Sequence, residues 1–148
     1  MLIFQVGFSQ NDCSNALVIC GNSNFSGLSA TGIGIQELSG LNTCFSEENN
    51  SIWLKISIVK TGTLSFTLVP ESSDINVDFD FFVFGPNVNC GTIGSAIRCS
   101  TTNPNLAFQI NNLTGMNSDE TDTSEGPGPD GNSFVSAINA NQGETYFI

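Results

Sequence analysis

The chain contains no histidine, and only three of its 148 residues are Lys or Arg. The first absence removes the commonest general base near neutral pH together with imidazole metal ligands, so Ser-His-Asp and Cys-His catalysis are excluded. The second, set against 14 Asp and Glu for a net charge of −11, excludes a nucleic-acid-binding surface, because a phosphate backbone would be repelled instead of neutralised. Trp and Tyr occur once each, at Trp53 and Tyr146, which leaves few large aromatic platforms for a sugar. No run approaches the 18 or more apolar residues of a membrane span. What is present is 39% hydrophobic residues, among them 12 Phe, with only 11% charged residues. That balance belongs to a folded globular chain, and a chain of this size is about one domain able to bury roughly 70% of its unfolded surface.

Five cysteines, Cys13, Cys20, Cys44, Cys90 and Cys99, sit in an acidic, Lys-poor chain rich in Asn, Ser, Thr and Gly. Their spacings match no CxxC pattern, and without histidine a zinc site has no support, so disulfides in an oxidising compartment are expected. Cys90 and Cys99 enclose GTIGSAIR, a length suited to local closure, and are expected to pair. A second bond is expected from Cys44 to Cys13 or Cys20, leaving one thiol buried or paired with an absent partner. The start, MLIFQVGFSQ, is apolar to Phe8 and then polar, and is expected to be the remnant of a secretory signal over residues 1–10. A first β-strand is the alternative. ETYFI ends within an apolar strand pattern, so residues 11–148 are expected to form one β-sandwich domain truncated at its C-terminus.

Ile52 to Val59 alternates, with Ile52, Leu54, Ile56 and Ile58 on one face and Trp53 on the other; Thr63 to Val69 alternates again after Lys60-Thr61-Gly62. The two are expected to form an antiparallel hairpin with the isoleucine face buried. DFDFFVF at 78–84 predicts another strand, closed by Gly85-Pro86. Residues 87–118 read as long loops with one or two short strands, the Leu106 to Ile110 piece among them. Asp119 to Gly131 reads as an acidic loop, and Ser133 to Ile138 and Thr145 to Ile148 as strands joined through Asn141-Gln142-Gly143. No window shows a helical period, so the fold class is all-β, an antiparallel β-sandwich or jelly roll.

Nine of the 14 acidic residues fall in two clusters, Glu71 to Asp80 and Asp119 to Asp130. Carboxylates interleaved with Ser, Thr and Gly suit calcium, which takes six to eight oxygens. The candidate ligands are Asp119, Asp122, Glu125 and Asp130 in the loop, and Asp78 with Asp80, which at about 3.3 Å per residue stand on one strand face and repel unless compensated. A solvated acidic loop and strand-end solubility are the competing explanations. Gly126 to Gly131 satisfies GxGxxG formally, but its prolines remove amide donors and no helix follows, so no nucleotide loop is expected. Ser57 and Lys60 satisfy SxxK, yet on a strand they face opposite sides.

NDCSNALVIC, NSIWLKISI and VDFDFFVFGPNVNCGTIGSAIRCS together resemble β-sandwich ectodomains of secreted, gliding-motility-associated proteins of Bacteroidetes exported by type IX secretion. DFDFFVF and the GETYFI ending are also similar to the pre-peptidase C-terminal type of jelly roll. The resemblance implies a noncatalytic adhesion, glycan-binding or spacing module at the cell surface. Its implied partners are surface polysaccharide, another extracellular protein, or the remaining domains of the same full-length chain. The alternative is an accessory domain of a secreted hydrolase.

Overall fold

Segments whose apolar residues recur at every second position have one face to bury, and they pair as short strands. In the computed structural model, which describes residues 10–22, 24–28, 32, 34–39 and 42–148, these are β1 (Leu17–Cys20), β2 (Leu54–Ser57), β3 (Gly62–Leu64), β4 (Phe66–Leu68), β5 (Phe81–Val83) and β6 (Arg98–Ser100). The series continues with β7 (Thr114–Asn117), β8 (Ser124–Glu125), β9 (Phe134–Ser136), β10 (Ile138–Ala140) and β11 (Thr145–Phe147). Single turns of 3-10 helix stand at Cys13–Asn15 and Cys90–Thr92. The expected signal remnant lies, except for Gln10, outside the described residues. Among the described residues no helix is long and apolar enough to cross a membrane.

The protein is nearly all-β, and most of its pairings are antiparallel, consistent with a β-sandwich. β2–β11, β3–β10, β4–β7 and β5–β6 run antiparallel, while β1–β2, β6–β8 and β7–β9 run parallel. The expected β2–β3 hairpin does not form. Instead both strands pair with the segment that returns at 138–147, Ser57 opposite Thr145 and Leu64 opposite Ile138. Their turns meet side by side, with the Gly143 amide donating to the Ile58 carbonyl at 2.8 Å and the Gln142 amide to the Thr61 hydroxyl at 3.0 Å. Alternation reports that one face is buried; it carries no information about which strand lies alongside.

Two hydrophobic cores lie on opposite faces of the β5–β11 region. In the first, Phe81, Val83 and Tyr146 meet Met116, Val135, Ile138 and Ala140, with Leu64, Phe66 and Leu68 packed against them. Phe66 and Phe81 meet edge to face with ring centroids 5.1 Å apart. Burying side chains of this size contributes about 2 kcal/mol each. Gly115 lets β4 and β7 approach, since a Cβ there would collide with the Phe66 carbonyl.

The second core uses the other side of the same strands: Phe84 and Phe147, with Phe82 packed against them, meet Trp53, Cys13, Leu38 and Ile93. Trp53 stacks on Phe84 at 5.8 Å. The isoleucine face of the 52–59 segment is only half-buried at Leu54 and Ile56, whereas Trp53, on the opposite face, is buried in the second core, the packing expected of it ahead of a role as a glycan platform. Both faces of this region are covered, and Trp53 packs under the second cover.

Cys44, Cys90 and Cys99 are bonded as expected and, of the two alternatives for the fourth, Cys13 is bonded and not Cys20, but the expected pairs do not form. Cys13 joins Cys90 with Cα atoms 5.6 Å apart, and Cys44 joins Cys99 at 6.1 Å. Cys90 packs in the second core beside Cys13, and Cys99, in β6 opposite Phe82, bonds Cys44 instead of Cys90. Cys20 is free and exposed, not buried.

Candidate functional site

In the acidic loop, Glu125 forms the end of β8 and its carboxylate is the loop's organising acceptor. One oxygen takes hydrogen bonds from the Thr102 hydroxyl and the Ser133 amide, each at 2.7 Å, and the other from the Asn132 amide at 2.8 Å. Gly131 is required beside it, because a Cβ there would collide with the Thr102 hydroxyl and meet the Glu125 carboxylate. Around Glu125 opens a depression of about 570 Å³ lined by Asp122, Gly128 and Asp130 among others. Asp119 is outside that lining; its amide donates to the Asn117 side chain at 2.8 Å. Glu125 therefore serves the loop first, and Asp122 and Asp130 are the further acids that line the depression.

Asp78 and Asp80 lie just ahead of β5. Burial, then repulsion from Asp78, pushes the Asp80 carboxyl up to about 6, although the Ser46 hydroxyl donates to it at 3.4 Å. Burial also raises Asp78. Asp74 departs from this pair: amide and side-chain hydrogen bonds from Asn76 hold it below the usual carboxylate range. Among the described residues, no group of three or more His, Cys, Asp or Glu is placed to hold a metal.

Two features escaped the sequence reading. The first is Glu48, only 3% exposed, which accepts from the Trp53 indole at 2.6 Å, the Ser51 hydroxyl at 2.8 Å and the Glu37 amide at 2.9 Å. Glu37 in turn accepts from the Cys13 amide at 2.6 Å, and burial, followed by repulsion from Glu48 and Asp12, raises it. No periodic signal marks Glu48; an acid five residues before the single Trp is the only hint. Both carboxylate oxygens of Glu48 accept hydrogen bonds from within the fold, so its role is to hold the second core.

The second feature is the turn at 103–110. The Asn103 carbonyl and side chain cap the Ala107 and Leu106 amides, the Pro104 carbonyl takes the Gln109 amide at 2.9 Å, and Pro104 itself is fully buried. The Gln109 side chain bonds Ser133 at 2.9 Å, and Asn105 bonds Asn76 at 3.0 Å. These anchors hold Phe108 at φ 54, a left-handed conformation that bulky residues avoid, and leave Phe108 89% and Ile110 98% exposed. Neither a family model, nor a curated protein, nor a solved structure matches the chain. The likeness to Bacteroidetes ectodomains thus stands on the quoted segments alone. Trp53 and Tyr146, the residues a sugar platform would use, are both core residues.

Proposed function

We propose that this chain is a noncatalytic extracellular module of a bacterial cell-surface or secreted protein, which works by binding another surface. Two disulfides support the compartment, because such bonds persist where the environment is oxidising. The observation that carries the binding role is the 103–110 turn, in which hydrogen bonds fix the backbone while its largest apolar side chains stay in water. Rigid exposed apolar groups cost stability and solubility, and such exposure is characteristic of contact surfaces. With the single Trp and Tyr in the cores, an extracellular protein suits this surface better than a polysaccharide does. Calcium enters the reading at Asp78 and Asp80, whose mutual repulsion a divalent cation would relieve.

Fractionation of the native cells with thiol counting tests the proposal. The expected result is protein outside the cytoplasm with one reactive thiol, Cys20. Recovery from the cytoplasm with all five thiols reactive overturns it.

A further inference from the structure

The turn at 103–110 does not stand alone. On one side of Gly131 and Asn132, Ala107, Phe108, Ile110 and Phe134 line an open, mostly apolar depression of about 370 Å³. Gly131 also lines the acidic depression, which presents Asp122 and Asp130, and beyond it Glu120 accepts a hydrogen bond from Asn132 at 3.0 Å. An apolar hollow and a carboxylate-lined hollow thus share one wall. The Asp122 and Asp130 side chains make no hydrogen bond or ion pair with the described residues. The chain's own cations do not neutralise them: Lys55 lies over the Phe147 ring, Lys60 is exposed in the 60–62 turn, and Arg98 donates to the carbonyls of Ile97, Ser136 and Ala137.

We infer that these two adjoining hollows are one docking surface for a basic polypeptide segment, with an apolar side chain seated against Phe108, Ile110 and Phe134 and Lys or Arg side chains over Asp122 and Asp130. This rests on the reading of the chain as a binding module and names its partner's chemistry. Charge complementarity selects the occupant. A second copy of this chain would bring another net charge of −11 to the same surface, and an anionic lipid or nucleic acid would be repelled for the same reason. The pre-fixed turn adds to the case, because a backbone already held in one conformation loses little freedom on association.

The test uses the intact, oxidised protein and a fluorescein-labelled Leu-Phe-Gly-Lys-Lys-Lys peptide, with Leu-Phe-Gly-Glu-Glu-Glu and Ser-Ser-Gly-Lys-Lys-Lys peptides as comparisons, read by anisotropy at low and high salt. The basic apolar peptide is expected to bind at least about tenfold more tightly than either comparison, with affinity falling as salt rises. Phe108→Ser with Ile110→Ser, and separately Asp122→Asn with Asp130→Asn, are each expected to weaken it by about tenfold, whereas Val18→Ser, an exposed position on β1, leaves it unchanged. Amide shift changes in the unaltered protein are expected to cluster at 104–111 and 120–134, which guards against a variant that misfolds. Equal binding of the two lysine peptides, equal weakening by Val18→Ser, or shift changes centred elsewhere overturns the inference. Any of these leaves the extracellular assignment untouched, since thiol counting and fractionation decide that separately.

Discussion

The two cores share the strands β5 and β11 but are closed in different ways. Over the first, strands β4, β7, β9 and β10 supply the opposite wall, and Phe66, Met116, Val135 and Ile138 close it by apolar packing. Over the second, the opposite wall is coil from the N-terminal segment and the 88–96 loop, and there the chain adds a covalent bond, Cys13–Cys90, and the buried carboxylate of Glu48. The second disulfide belongs to that face as well, since Cys99 pairs opposite Phe82 in the β5–β6 register. A strand wall satisfies its own backbone groups through the ladder, whereas a coil wall cannot, so its amides need side-chain acceptors and its loops need tethers. Hence the Cys13 amide finds Glu37 and the Glu37 amide finds Glu48.

The largest effect should come from removing the tether. Cys13→Ala with Cys90→Ala opens a loop whose ends are 77 residues apart and is expected to cost about 4 kcal/mol. Met116→Ala, in the strand-closed core, is expected to cost about 3 kcal/mol. Hydrogen exchange distinguishes the two losses: the disulfide variant should lose protection first around Trp53 and residues 88–96 while β7 stays protected, and Met116→Ala should show the reverse. Identical patterns would mean the cores unfold as one unit and would break the comparison.

Next in size is Glu48→Ala, which leaves the Trp53 indole and the Glu37 amide without their acceptor, for an expected cost of about 2 kcal/mol. Because Trp53 is the only Trp, its fluorescence reports this core directly in a urea titration. Glu48→Gln keeps an acceptor oxygen and should recover part of the loss.

The smallest effect concerns Asp80. Its folded-state value is raised from 3.8 to about 6, so the folded protein binds the proton more tightly than the unfolded chain does. That contribution is complete below about pH 4 and is lost as pH rises through about 6. Asp80→Asn should flatten melting temperature against pH across this interval. It should also stabilise the protein at neutral pH by about 1 kcal/mol, a figure reduced for the solvent that still screens this site. An unchanged pH profile would remove the Asp78–Asp80 repulsion from the account. Calcium acting at this pair should raise the melting temperature at neutral pH in the parent chain and have no effect in the variant.

Much of the strand content was legible because burial on one face writes a two-residue period into the chain. The 52–59, 63–69, 78–84, 133–138 and 145–148 stretches each contain a strand where that period runs. Partner choice was not legible, since Leu64 and Phe66 have the same alternation whether they pair with Lys55 or, as they do, with Ile138 and Met116. The cysteine pairing failed for a related reason: a short separation makes closure easy, but the bonds join residues 77 and 55 positions apart that the fold brings together. The unbroken Phe-Phe-Val-Phe at 81–84 was the readable sign that β5 is covered on both sides. At the candidate surface, the acids were visible in the sequence, but Glu125 could not be separated from Asp122 and Asp130 until its three short hydrogen bonds showed it to be a loop organiser. The outward set of Phe108 depends on Asn103, Pro104 and Gln109, whose bonds no hydropathy pattern records.

The pairing of β11 with β2 also sets an order of events during synthesis. Lys55 waits for Phe147, about ninety residues later, so the layer they share closes only when nearly all of the described chain exists. All five cysteines have been made by residue 99, well before that closure. Any disulfide that forms before this closure forms on a chain whose sandwich is still open, with Cys20 competing as a fifth thiol, and exchange then has to select the native pairs. The yield of correctly bonded protein should depend on a thiol–disulfide exchange catalyst more than on the strength of the oxidant.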